Sequence, residues 1–279
     1  MGPLVRQKIA IGITTYVDIS GREFGAAIYR AHEETSKRLT PNKIRIWSAK
    51  HDVGTAHDFS SLWLTVMPFE KREGKGPDKG KLIEKGEFRV GPEWSRTGSL
   101  AGRGRVDFRP EIDHSECNTL SIEFNYDPKI DWYGLFKRIV DVCKPAYGML
   151  HLFTELELSR SEGKDHLERF DGPLVGEGSF TSWKTSEGHW RGPDKWQLAE
   201  RRHYRFLPQL SWANYFGSEF DGEVDAMRRK TGADGIQGNE EGRFLHITDA
   251  ISDVIDRQEF FDAKREKLKS CFADGFFRW

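Results

Sequence analysis

No stretch of the chain is apolar for long enough to span a bilayer, so a membrane partner is not expected. Cysteine is scarce. Cys117, Cys143 and Cys271 are far apart, and no CxxC or Cys/His zinc spacing occurs. That excludes a disulfide framework and suits a reducing cytosol, with the thiols acting as small buried hydrophobes. The opening "MGPLVRQKIAIGITTYV" lacks a long apolar run and a cleavage site, so a secretory leader is not expected. Pro3 and Arg6 fit a myristoylation start at Gly2 poorly. GxxxxGK[ST], GxSxG and HExxH are all missing, which removes the ordinary phosphate loop, the hydrolase elbow and the zincin helix. "GRG" at Gly102–Gly104 and "GEG" at Gly176–Gly178 are fragments of a dinucleotide fingerprint, not the motif. No cofactor and no resident metal are expected. The net charge of −1 gives no general attraction to nucleic acid.

What the chain does have is length, rings and charge. Its 279 residues are enough to bury a sizeable core, and nine Trp with nineteen Phe argue against disorder. Charge is unevenly spread: Ala213 to Asp262 holds twelve acidic against five basic residues, and Glu70 to Pro110 holds eleven basic against seven acidic. Such segments are either partner surfaces or ordinary solvated faces.

"IAIGITTYV" alternates Ile9, Ile11 and Ile13 as a half-buried strand does. The helical spacing of Phe24, Ile28 and Ala31 follows, Pro41 ends it, and "KIRIWSA" reads as a second strand. Asn118 to Thr154 has the same plan. "TLSIEFNY" puts Leu120, Ile122, Phe124 and Tyr126 on one face. "IDWYGLFKRIVDVCK" then carries Trp132, Leu135, Phe136, Ile139, Val140 and Cys143 as one wide helical stripe, and "AYGMLHLFTELEL" is the return strand. The recurrence is either an internal strand–helix–strand pseudo-repeat or the reuse of a common unit. The expected fold is α+β, with a mixed or antiparallel sheet layered with helices. The chain reads as one domain over 1–279, or as two similar halves, about 1–110 and 111–279.

Between these units "EKREGKGPDKGKLIEKGEFRVGPEW" predicts an exposed loop around Gly74–Gly80 and then a short strand or hairpin. A long irregular stretch holds Trp183, Trp190 and Trp196, which anchor it or meet a partner. Phe220, Val224 and Met227 suit a short helix, "GRFLHIT" a strand, and "DRQEFFDAKREKLKSCF" a closing helix.

Two clusters have the residue types of catalysis. "HDVGTAHD" groups His51, Asp52, His57 and Asp58 in a loop, with Asp58 as the expected N-cap of the helix after it. "DHSEC" groups Asp113, His114 and Cys117 and otherwise reads as a polar turn. Residue types alone do not supply the geometry that catalysis needs. Asp249, Asp253 and Asp256 form an acidic stretch after "GRFLHIT"; helix capping and a phosphate-mimicking face both fit them.

"LSWANYFGSEF", "GRFLHITDAISDV", "FFDAKREKLKSCF" and "CKPAYGMLHL" together resemble the bacterial immunity protein 52 and type VI secretion immunity families, over residues 118–155 and 205–275. The resemblance implies an α+β fold, no catalytic activity and a tight complex with a cognate polymorphic toxin, often a nuclease. It marks Trp212 and Gly217 as fold positions. On this reading the toxin contacts are Trp183, Trp190, Trp196, Asp249, Asp253 and Asp256, while Trp212, Tyr215 and Phe216 belong to an aromatic core. The competing readings are an enzyme built on the His51/His57/Asp58 or Asp113/His114/Cys117 cluster, and a non-catalytic binding subunit of a defence or phage system.

Overall fold

A computed structural model describes residues 7–74, 79–98, 100–108, 118–153, 210–234, 239–241, 243–272 and 277. Trp183, Trp190, Trp196 and the Asp113–Cys117 cluster lie outside them. The elements are β1 (Lys8–Thr15), α1 (Arg22–Thr35), β2 (Lys43–Ile46), β3 (Ala49–Asp52), α2 (Ala56–Ser61), β4 (Thr65–Arg72), β5 (Leu82–Val90), β6 (Glu93–Arg96), β7 (Gly102–Asp107), β8 (Asn118–Asn125), α3 (Trp132–Cys143), β9 (Tyr147–Phe153), β10 (Ala213–Phe216), α4 (Asp221–Asp234), β11 (Asn239–Glu241), β12 (Phe244–His246), α5 (Asp253–Asp256) and α6 (Gln258–Lys269). The class is α+β.

Ten described strands form one antiparallel sheet in the order β11-β12-β10-β9-β1-β8-β7-β6-β2-β3, and β4 with β5 form a separate two-stranded ribbon. β1 lies between β8 and β9 and pairs antiparallel with both, so β8 and β9 run parallel and α3 is the crossover between them. The period of two in β1 sets Ile9, Ile11 and Ile13 opposite Phe124, Ile122 and Leu120 of β8 on a single buried face. α3 packs on that face through the stripe its spacing predicts: Trp132, Leu135, Phe136, Ile139, Val140 and Cys143 are all buried. A methyl at Gly148 of β9 would stand 3.1 Å from Ile13 and 3.2 Å from Phe136, so glycine lets helix and sheet close on each other. Asp131 caps the helix by accepting a 2.8 Å hydrogen bond from the Gly134 amide.

A second ring cluster holds α1 and α2 to the outer strands. Phe59, Trp63 and Trp94 are buried and stand 5.5 to 5.8 Å apart. Trp63 donates a 2.7 Å hydrogen bond to the Ile19 carbonyl. Its indole lies over Gly25 of α1, where a Cβ would meet it at 2.7 Å. Trp94 of β6 likewise lies on its cross-strand partner Gly104 of β7.

In the C-terminal part a polar knot joins β9 to β10. The Asn214 side-chain oxygen accepts from the Tyr147 hydroxyl and the Ser211 amide, both at 2.9 Å, and its amide donates to the Ser211 carbonyl at 2.9 Å. Trp212 is buried, and its indole N–H donates to the Thr248 hydroxyl at 3.1 Å. Phe216 is buried against Tyr147, Phe220 and Phe272; Tyr215 is half-buried against Phe244. α6 lays Phe261 on His151 of β9. No helix among the described residues is long and apolar enough to cross a membrane.

Three local expectations change. The chain does not continue as a strand through "WSA": it turns at Trp47–Ser48 into the β2–β3 hairpin, with Ile46 opposite Ala49. His51 and Asp52 therefore sit on a strand rather than in a loop. The N-cap of α2 is Thr55, not Asp58; Asp58 is the fourth member of a capping box, accepting from the Thr55 amide and donating its own amide to the Thr55 hydroxyl, each at 3.1 Å. The cap of α6 falls on Arg257 rather than Asp256.

Candidate functional site

Side chains on β1, β2, β3, β6, β7 and β8 that point away from α1 and α3 share one face of the sheet. The pairing arranges them in two rows, two residues apart on each strand. One row reads Lys50, Arg45, Glu93, Arg105, Ser121, Gly12 and Met149 across the strands. The other reads Asp52, Lys43, Ser95, Arg103, Glu123, Ala10 and His151. All of these but Asp52, Gly12 and His151 line a groove of about 800 Å³. Beyond Met149 and His151 the same face is covered by Phe261 of α6, so the groove ends at the C-terminal helices.

The charges are interleaved. Glu123 is the buried centre, its side chain 9% exposed, with Lys8 at 3.0 Å and Arg103 at 2.8 Å on its two oxygens. Glu93 pairs with Arg45, Lys43 holds Asp52 at 2.7 Å, and Arg105 holds Asp107 at 2.8 Å. The hydrogen bond from Lys43, and then its charge, hold the Asp52 carboxyl below the usual carboxylate range. Most of these groups stay in reach of solvent: the Arg103 side chain is 67% exposed, and Arg45, Lys43 and Glu93 are nearly half exposed. Lys50 is exposed and directly opposite Arg45, a like-charge cross-strand pair. Counting Lys8 and Asp107 with the rows, the face carries six cations against four anions.

The acidic stretch is arranged differently. Asp249 and Asp256 are exposed, but Asp253 is buried, with the Arg257 guanidinium 3.7 Å from its carboxylate, and a partner does not reach it without moving α5. Burial, reinforced by the charges of Asp256 and Asp127, pushes the Tyr126 hydroxyl up, which places Asp256 near the end of β8. His51 is exposed on β3; His57 and Asp58 are exposed on α2, and the Thr55 and Gly54 hydrogen bonds hold the Asp58 carboxyl low as part of the cap. Among the described residues no group of three or more His, Cys, Asp or Glu side chains is arranged to hold a metal ion. Cys143 and Cys271 are buried free thiols, and burial pushes the Cys143 thiol up to about 12.

Arg103 and Arg105 belong to the basic segment Glu70 to Pro110, and Glu123 to the side of its strand opposite Leu120, Ile122 and Phe124. Their alternation within each strand is visible in the sequence; their meeting is not, because β8 pairs with β7 while β7 reaches β2 only through β6. Compared with known proteins, the chain matches no family model and no curated protein.

Proposed function

We propose that the protein is a cytoplasmic immunity protein, which binds a cognate secreted antibacterial toxin through the charged face of its sheet and covers the toxin's active site. The observation that supports it is the pair of cross-strand charged rows. Exposed ion pairs of this kind contribute little to a fold, about 0–1 kcal/mol each. Held in register on a rigid sheet, they orient a partner, speed its encounter and reject the wrong one. The groove is more mixed in charge than a small-molecule site, which is commonly lined by apolar side chains with a few polar ones. The resemblance of the C-terminal segments to toxin-immunity families points to the same class of partner. Asp249 and Asp256 remain secondary contact candidates on this reading, and the protein acts without catalysis.

The test is co-expression with each toxin gene encoded beside this one. The expected result is restored growth and a complex that co-purifies, both weakened by Arg103→Glu together with Arg45→Glu. If no neighbouring toxin is neutralised and none co-purifies, the reading is wrong.

A further inference from the structure

We infer that the β2–β3 hairpin anchors this docking surface, and that Trp47 at its tip enters an apolar socket on an acidic protein. The inference rests on the binding role proposed above. Trp47 is the first of the two residues joining β2 to β3 and has φ 56°, in the left-handed region. Glycine, asparagine or aspartate normally fill such positions. A bulky side chain there costs roughly 1–2 kcal/mol. Burial does not offset that cost, because Trp47 is 65% exposed, the most exposed large hydrophobic among the described residues. Its ring neighbour is Phe88 of β5 at 6.2 Å, itself only partly buried. Backbone and side chain are therefore both placed at a loss for the isolated chain. A tryptophan that enters a partner's pocket recovers that loss on binding, since it brings a large rigid surface at small entropic cost.

The surroundings say what surface the partner presents. Lys50 and Arg45 flank the tip on the groove side, with Lys43 one step below and Asp52 opposite it. This end of the sheet carries three cations, Lys43, Arg45 and Lys50, against two carboxylates, Asp52 and Glu93, so the complementary rim is of mixed sign with an acidic surplus. Away from the groove the ribbon continues the apolar ridge from Phe88 to Phe69, 6.3 Å away. A single nucleic-acid strand would also stack on tryptophan. Here, though, Arg45 is paired with Glu93 and Lys43 with Asp52, and those carboxylates would face the phosphates. The mixed rim fits a protein.

Glycine at position 47 removes the ring and relieves the backbone, so it separates docking from structure. With the purified toxin identified by co-expression, Trp47→Gly is expected to bind on the order of 30-fold or more weakly, the loss typical of a central anchor. Its resistance to urea is expected to be unchanged or higher. Binding within about threefold of the parent, less than half the free energy of a hot spot, overturns the inference. A second arm needs no toxin. A photo-crosslinking aryl ketone amino acid is placed at position 47 of the full chain, in the cells that make it. The expected result is one discrete adduct with an acidic protein, lost when Lys50→Glu is added. No adduct, an adduct indifferent to Lys50→Glu, or one with nucleic acid overturns it. An acidic partner that is not a toxin keeps the anchor and removes the function proposed above. A toxin bound equally well by Trp47→Gly keeps that function and removes the anchor.

Discussion

His32 makes the stability of this protein depend on pH in a window that carboxylates do not share. The side chain is fully buried on α1 with its ring 5.9 Å from Phe124. Nδ1 stands 2.8 Å from the Ile28 carbonyl, so it carries the proton and donates. Nε2 is buried with no hydrogen-bond partner among the described residues, and a proton added there would be a charge without compensation. Burial therefore lowers the pKa from 6.5 to about 4, against a small opposing effect of the Ile28 bond. The unfolded chain then takes up the proton first, so the contribution of neutral His32 is complete above pH 6.5 and is lost as pH falls toward 4. Between pH 7.5 and 5 the expected loss is about 2 kcal/mol, from about 1.4 kcal/mol per unit over the part of the shift that titrates there. Urea unfolding at the two pH values measures it, with His32→Leu as the non-titrating comparison. The variant should lose about 2 kcal/mol less than the parent between the two values. Equal losses would show that His32 is not the group responsible.

Other expectations follow from packing. Gly104→Ala sets a methyl 2.2 Å from the Trp94 indole and should cost about 1–3 kcal/mol in urea unfolding, with no change in the far-UV spectrum of the remaining fold. Trp212→Ala removes a buried ring and leaves the Thr248 hydroxyl without its donor; about 3–5 kcal/mol should be lost in urea unfolding. Cys143 and Cys271 should stay unmodified by a thiol reagent in the native protein at pH 8 and react fully in urea; rapid native labelling of either would contradict their burial.

Periodicity was informative wherever one element carried the whole pattern. The α3 stripe and the isoleucines of β1 were legible because each residue's fate depends on its own neighbours in sequence. The hairpin at Trp47 was not, because tryptophan is a poor signal for a left-handed turn, and the usual Asn-Gly or Asp-Gly cue is missing. The charged groove was illegible for another reason. Its rows draw on seven strands spread from Ala10 to His151, and only the order of the strands brings them side by side. The acidic stretch was the opposite case, conspicuous in sequence yet divided by burial, which takes Asp253 inside and leaves Asp249 and Asp256 out.

The place of β1 in the sheet has a consequence for how the chain comes to be folded. β1 is a central strand, and its two partners end at Asn125 and Phe153, more than a hundred residues later in the chain. Until then its hydrogen-bonding edges lack their native partner strands. Synthesis at about 5–20 residues per second leaves that strand waiting for some seconds. Closure of so long a loop also puts the protein among the slower folders for its size. The growing chain is thus open to strand-to-strand association during the interval in which the finished molecule has no such edge at its centre. Crowded overexpression should therefore lose material co-translationally, and slower initiation or cooler growth should recover it, even though the completed sheet is secured on both sides of β1.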